Sequence, residues 1–397
     1  MTKFLASVTG RQEAETALAG GADIIDLKNP EDGALGAVAL DEIRETVAHV
    51  AGRRPVSAVC GNLPMDPEAI RQAATEIAET GVDYLKIGFL PDVQAAACAR
   101  ALAGLAPRVK LVAVLFADRD PDFALLPALA ESGFHGAMVD TAGKGRGRLL
   151  DHLPPERIPD FINPARAHGL MAGLGGSLEA PDIPRLLPLE PDFLGFRGAL
   201  CDGSQRTKTI DIDCVRRIRA LIPEERLAGD SAAVDYRLLA ARGYSPEAVD
   251  PKLGTDKIFV RDFVLPVEIG AYSFEHGRQQ KVRFDVTAEV RRITDDPQDM
   301  RHVVSYDIIM DGIRGIVARG HVELSESLAE QVAAHVLSDP RVVRVTVRVE
   351  KLELGPGSVG VEIERKRPAE APGLRPGAAE RHGGADASGR RGKGASR

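Results

Sequence analysis

Ala22-Asp23-Ile24-Ile25-Asp26-Leu27-Lys28-Asn29-Pro30 is an apolar strand run that ends in charge where a turn residue would be expected. Side chains alternate along a strand, so Asp26 and Lys28 share one face. The arrangement recurs in Val82-Asp83-Tyr84-Leu85-Lys86-Ile87-Gly88-Phe89 and again in Gly136-Ala137-Met138-Val139-Asp140-Thr141-Ala142-Gly143-Lys144. Three such strands aimed at one mouth would gather Lys28, Lys86 and Lys144 with the carboxylates of Asp26 and Asp140. That set suits imine chemistry on an aldehyde, because an amine crowded by other cations has a lowered pKa and is nucleophilic at neutral pH. A single lysine at a strand end would more simply snorkel to solvent. Three in matching positions favour a shared site.

From residue 3 to about 222, β-rich runs alternate with amphipathic helical stretches at a spacing of roughly 25 residues, the pattern of repeated βα units. The runs at 4–8, 24–28, 56–60, 84–89, 110–116, 137–141, 170–174 and 193–197 predict eight strands. Eight βα units in this length fit an α/β (β/α)₈ barrel, also called a TIM barrel, better than an open doubly wound sheet. In such a barrel the working residues come from the C-terminal strand ends. Strands seven and eight supply Gly173-Leu174-Gly175-Gly176-Ser177 and Gly195-Phe196-Arg197-Gly198-Ala199. Glycines there let backbone N–H groups approach an anion, so Gly176, Ser177, Arg197 and Gly198 are candidate phosphate-binding residues. Gly143-Lys144-Gly145-Arg146-Gly147 lacks the ending of a P-loop.

Beyond Pro223 the pattern breaks. Residues 223–255 read as a linker. Residues 256–367 read as a separate α+β unit of order ββααββ, with strands at 257–269, 281–291, 342–352 and 360–365 and helices at 306–318 and 326–337. The tail 368–397 has almost no large apolar side chain and is expected to be disordered. The division is thus 1–222, linker, 256–367 and tail.

Composition narrows the function class. With 44% hydrophobic and 27% charged residues, 40 Gly and a net charge of −7, the chain of 397 residues is a globular protein without the basic stripe of a nucleic-acid binder. No run approaches a membrane span, and Met1-Thr2-Lys3-Phe4-Leu5 opens directly into a strand-like run, so a cytoplasmic location is expected. Cys60, Cys98, Cys201 and Cys214 are too scattered for a disulfide framework or a structural zinc site and read as buried thiols. His276, His302, His321 and His335 show no metal-ligand spacing.

The phrases around Asp26-Leu27-Lys28-Asn29-Pro30, with Leu35-Gly36-Ala37, Asp83-Tyr84-Leu85-Lys86-Ile87-Gly88, Asp140-Thr141 and Arg197-Gly198-Ala199-Leu200-Cys201, resemble (5-formylfuran-3-yl)methyl phosphate synthase of methanofuran biosynthesis over residues 3–222. The resemblance implies a lyase that joins two molecules of glyceraldehyde 3-phosphate into a furan aldehyde phosphate. It gives Lys28 as the Schiff-base residue, with Asp26, Lys86, Asp140 and Lys144 assisting proton transfers or binding substrate. No metal and no cofactor are expected.

Residues 256–366, with Ile269-Gly270-Ala271-Tyr272-Ser273-Phe274-Glu275, Val304-Ser305-Tyr306, Leu324-Ser325-Glu326 and Val349-Glu350-Lys351, are similar to dihydroneopterin aldolase. That resemblance implies cleavage of a dihydropterin, with Lys351 as acid/base group, Tyr306 beside the substrate side chain, and Glu326 and Glu275 as binding residues. Members of this fold build their sites between subunits, so a homo-oligomer is expected. Bland readings of the same residues stand beside these. Glu326 also suits a helix N-terminus and Tyr306 ordinary packing. The expected whole is a bifunctional enzyme acting on small molecules, without nucleic-acid or membrane partners. The alternatives are the same barrel with a non-catalytic oligomerisation or pterin-binding unit, and a barrel that is an ordinary triose-phosphate aldolase.

Overall fold

Eight parallel strands close into a barrel: β1 (Lys3–Val8), β2 (Ile24–Leu27), β3 (Val56–Val59), β4 (Tyr84–Phe89), β5 (Lys110–Phe116), β6 (Gly136–Asp140), β7 (Met171–Leu174) and β8 (Phe193–Phe196). The computed structural model describes residues 1–143, 147–222, 253–272, 275–354 and 357–367. Lys144, most of the expected linker and the expected disordered tail lie outside the described residues. The expected strands β4 and β5 agree to the residue, whereas β2, β3, β6 and β8 each end one residue earlier. Those final residues, Lys28, Cys60, Thr141 and Arg197, belong to the loops above the barrel.

The alternation of strand side chains builds the interior in layers. Leu5, Ile24, Tyr84, Val112 and Phe193 join one buried apolar cluster inside the barrel. Two residues further along their strands stand Ser7, Asp26, Lys86, Val114 and Gly195, and two further again Lys28 and Gly88. The interior thus passes from an apolar floor to a polar layer. The outer faces of the strands pack against the surrounding helices in a larger core, with Phe4, Ile25, Leu85, Leu111 and Ala137 among its members. Asp66 caps the helix Pro67–Ala78 by accepting from the N–H groups of Glu68 and Ala69, and Asp211 caps Ile212–Leu221 in the same way.

A second sheet is antiparallel, in the order β12 (Val359–Lys366), β11 (Val342–Lys351), β10 (Gln279–Arg291), β9 (Thr255–Glu268). β9 starts at Thr255, within the expected linker, because Thr255 pairs with Arg291. Helices Asp307–Val317 and Ser325–Leu337 give the expected ββααββ order. Ile309, Ile313, Leu328 and Val332 pack with Val282, Phe284, Val286, Val345 and Val347 in a core separate from the barrel's. Arg185 of the barrel's helix Ile183–Leu186 and Asp311 form a bidentate pair, with Nε–Oδ2 at 2.7 Å and Nη2–Oδ1 at 2.9 Å. Among the described residues no helix is long and apolar enough to cross a membrane.

Candidate active site

Strand register decides what surrounds Asp26. It lies opposite Ser7 on β1 and Ser57 on β3. Both hydroxyls donate to it, Ser7 Oγ to Oδ2 at 3.0 Å and Ser57 Oγ to Oδ1 at 2.5 Å. Lys86 on β4 completes the group, with Nζ 2.6 Å from Asp26 Oδ1. Asp26 is wholly buried and Lys86 nearly so. Burial pushes the Asp26 carboxyl up, but Lys86 and Lys28 beside it, with the hydrogen bonds from Lys86 and Ser57, outweigh that and hold it below the usual carboxylate range. A charged carboxylate is thereby kept at the bottom of the cavity.

Asp26, Lys28, Lys86 and Asp140 all line one cavity of about 130 Å³ at the C-terminal ends of the strands. The expected gathering of three strand ends at one mouth is thus present for four of the five groups; Lys144 lies outside the described residues. Asp140 Oδ1 accepts from the Thr141 N–H at 2.7 Å. Gly175 stands beside it, where a Cβ would make an ordinary 3.6 Å contact with the Asp140 carboxyl.

Gly176, Ser177 and Leu178 form the β7 side of the cavity. Gly176 has φ +108° and Ser177 φ +54°, so consecutive residues hold left-handed backbone. Their N–H groups and that of Leu178 donate to no protein acceptor among the described residues. N–H groups left unengaged in a turn are available to an anion.

Arg197 lines the cavity with Gly198, but its hydrogen bonds run elsewhere. Nε donates to Arg206 O at 2.8 Å, Nη1 to Ser7 O at 3.1 Å and Glu13 Oε2 at 2.5 Å, and Nη2 to Lys208 O at 2.8 Å and Glu13 Oε1 at 3.3 Å. All five guanidinium donors are engaged inside the protein. Arg197 is a strut holding the segment after β8, and the expectation that it receives a phosphate is corrected on that ground.

Sequence reading missed Ser7, Ser57, Glu13, Asp118 and Arg206. Asp118 Oδ1 and Oδ2 accept from the N–H groups of Ala142 and Gly143, each at 2.7 Å, which fixes the start of the loop after β6. Arg206 lines the cavity wall. Strand alternation could have marked Ser7, in line with Leu5. The others show no local signal.

In the second sheet, Lys351 Nζ donates to Glu275 Oε1 at 2.9 Å, and Gln280 Nε2 donates to the same oxygen at 2.9 Å. The Tyr272 N–H donates to Oε2 at 3.2 Å. The Lys351 and Gln280 hydrogen bonds draw the Glu275 carboxyl down to about 2. Gly270, at φ +139°, is required here, since a Cβ would lie 2.0 Å from that carboxyl. Tyr306 is 58% exposed and Glu326 is exposed. Neither hydrogen bonds to the Glu275–Lys351 pair among the described residues. The four cysteines are buried and free, and the Cys60 thiol is pushed up to about 12 by burial. Among the described residues no cluster of metal-ligating side chains is found.

Charged groups converging at the C-terminal mouth of a closed eight-stranded barrel define a barrel enzyme. Residues 4–219 match the family model described as 4-HFC-P synthase, and the chain belongs to that family. A Methylorubrum extorquens protein assigned by name to (5-formylfuran-3-yl)methyl phosphate synthase is 45% identical over 209 residues, 53% of this chain and 86% of that protein. The (5-formylfuran-3-yl)methyl phosphate synthase of Methanopyrus kandleri is 38% identical over 218 residues, 52% of this chain and 92% of its own. Residues 258–364 match the dihydroneopterin aldolase family model. A dihydroneopterin aldolase from Burkholderia thailendensis, crystallised with guanine, is 30% identical over 30% of this chain and 96% of its own, with a TM-score of 0.26. The fusion of a furan phosphate synthase barrel with a dihydroneopterin aldolase domain places the protein in cofactor biosynthesis.

Proposed function

We propose that the barrel condenses two molecules of glyceraldehyde 3-phosphate to (5-formylfuran-3-yl)methyl phosphate, with loss of one phosphate and two waters, through an imine on Lys28. The observation that carries this reading is the Asp26–Lys86 pair at 2.6 Å beside Lys28 and Asp140 in one cavity. Lys28 Nζ attacks the aldehyde carbon and water leaves. The imine acidifies the neighbouring carbon, whose proton passes to a carboxylate. Asp140 is suited to that step. Lys86, held by Asp26, is suited to return protons to departing hydroxyls in the dehydrations. Gly176 and Ser177 offer backbone N–H groups to a phosphate.

The C-terminal domain, in the same proposal, cleaves dihydroneopterin to 6-hydroxymethyl-dihydropterin and glycolaldehyde. Lys351, oriented by Glu275, acts as acid/base group, Glu326 accepts from the pterin's guanidine-like edge, and Tyr306 lies by the substrate side chain. The exposure of Glu326 and Tyr306 supports a site completed by a second subunit. The deciding experiment for the barrel is the mass of the product formed from glyceraldehyde 3-phosphate alone. A furan aldehyde phosphate is expected; a hexose bisphosphate would make the barrel an ordinary aldolase.

A further inference from the structure

Arg206 is carried on the segment after β8, and that segment is fixed by buried charge. Arg197 donates to the carbonyls of Arg206 and Lys208, each at 2.8 Å, and the Ile210 N–H donates to Glu13 Oε1 at 3.2 Å. Glu13 and Arg197 are themselves buried. The Arg206 side chain reaches the loop after β2, where Nη2 donates to Gly33 O at 2.8 Å. Its Nε is buried and has no partner among the described residues. A donor left in that state is costly unless a ligand takes it up. Burial pushes the Arg206 guanidinium down, against the pull of Asp140. The same cavity holds the unengaged N–H groups of Gly176, Ser177 and Leu178.

We propose that Arg206 is the anion-recognising residue of the barrel site: its guanidinium, together with the backbone N–H groups of the β7 turn, holds the phosphate of a phosphorylated aldehyde. A guanidinium offers paired donors that match a phosphate's oxygens, and it keeps its charge when partly buried. Arg197 and Glu13 act behind it as positioning residues. The identity of the substrate rests on the imine reading of Lys28; the anion site does not.

Borohydride trapping on the full chain tests this with three probes: glyceraldehyde 3-phosphate, glyceraldehyde, and glyceraldehyde with added inorganic phosphate. Arg206→Ala is expected to lower trapping of dilute glyceraldehyde 3-phosphate by roughly ten- to a hundred-fold, the range of a lost charge-assisted hydrogen bond. Trapping of glyceraldehyde should stay unchanged, and Arg206→Lys should recover part of the loss. Inorganic phosphate should promote trapping of glyceraldehyde only if the site takes the free anion. Equal loss with both aldehydes would mean that Arg206 merely braces the Gly33 loop. No loss would put the phosphate elsewhere. Either result overturns the proposal. Should the unmutated protein trap neither aldehyde, the imine reading alone fails, and calorimetric titration with inorganic phosphate decides. Binding that Arg206→Ala leaves intact, or no binding at all, would then sink the anion site.

Discussion

Lys28 and Lys86 share the carboxylate neighbour Asp26 but stand at different depths in the barrel. Lys86 Nζ is 2.6 Å from Asp26 Oδ1, deep in the barrel. Lys28 lies two positions beyond Asp26, where the strand meets the mouth. An incoming aldehyde therefore meets Lys28 first, and borohydride reduction with glyceraldehyde 3-phosphate is expected to leave its covalent adduct on that residue. Lys28→Arg should abolish the adduct and turnover together. A trapped peptide centred on Lys86 would reverse the two roles. Asp26, Lys28, Lys86 and Asp140 were legible in the sequence because a charge at an inward strand position is conspicuous among apolar neighbours. Ser57 was not, since a serine in a strand means little until the register sets it opposite a carboxylate. Arg197 was misread for a related reason. Its partner Glu13 lies 184 residues away, and no local pattern reveals that its donors are spent.

The strand ends and the turns that follow them carry most of the chemistry, and here alternation and glycine spacing served well. β4 and β5 were read to the residue, and the β7 turn earned its candidate role from Gly176 and Ser177. In the second sheet the decisive element is the turn between β9 and β10, where Gly270 makes room for Glu275 and Lys351 reaches it from the end of β11. The pH response of this turn follows from its hydrogen bonds. The folded Glu275 carboxyl sits at about 2 against an ordinary value of 4.5, so the unfolded chain takes up its proton first. The stabilisation is complete above about pH 4.5 and is lost as pH falls through about 2. Glu275→Gln should therefore weaken hydrogen-exchange protection of the β10 and β11 amides most at neutral pH. The difference from the unmutated protein should shrink on acidification. A difference that grows towards low pH would mean that the carboxyl is held neutral, and that Lys351 is oriented by something else.

At the scale of the molecule, two families occupy one chain, and their sheets differ in closure. The barrel gathers its groups within a single chain, with a closed sheet that leaves no strand edge. The second sheet keeps its edges β9 and β12, and it exposes Tyr306 while burying Lys351. That contrast was only half legible, because a sequence shows which residues a chain carries but not which copy delivers them. If Tyr306 serves the Lys351 of another subunit, two inactive variants should repair each other. Tyr306→Phe and Lys351→Met, each low in dihydroneopterin cleavage alone, are expected to regain cleavage when co-expressed, because some interfaces in the mixed assembly pair an intact Lys351 with an intact Tyr306. The barrel reaction proposed for Lys28 needs no group from another chain, so it should run unchanged in all three preparations and report that the chains are folded. Co-expression that restores nothing, with furan product formed at the normal rate, would put Tyr306 outside the site or within its own chain's site. Loss of the furan product in the same preparations would instead show that the two halves depend on each other's fold.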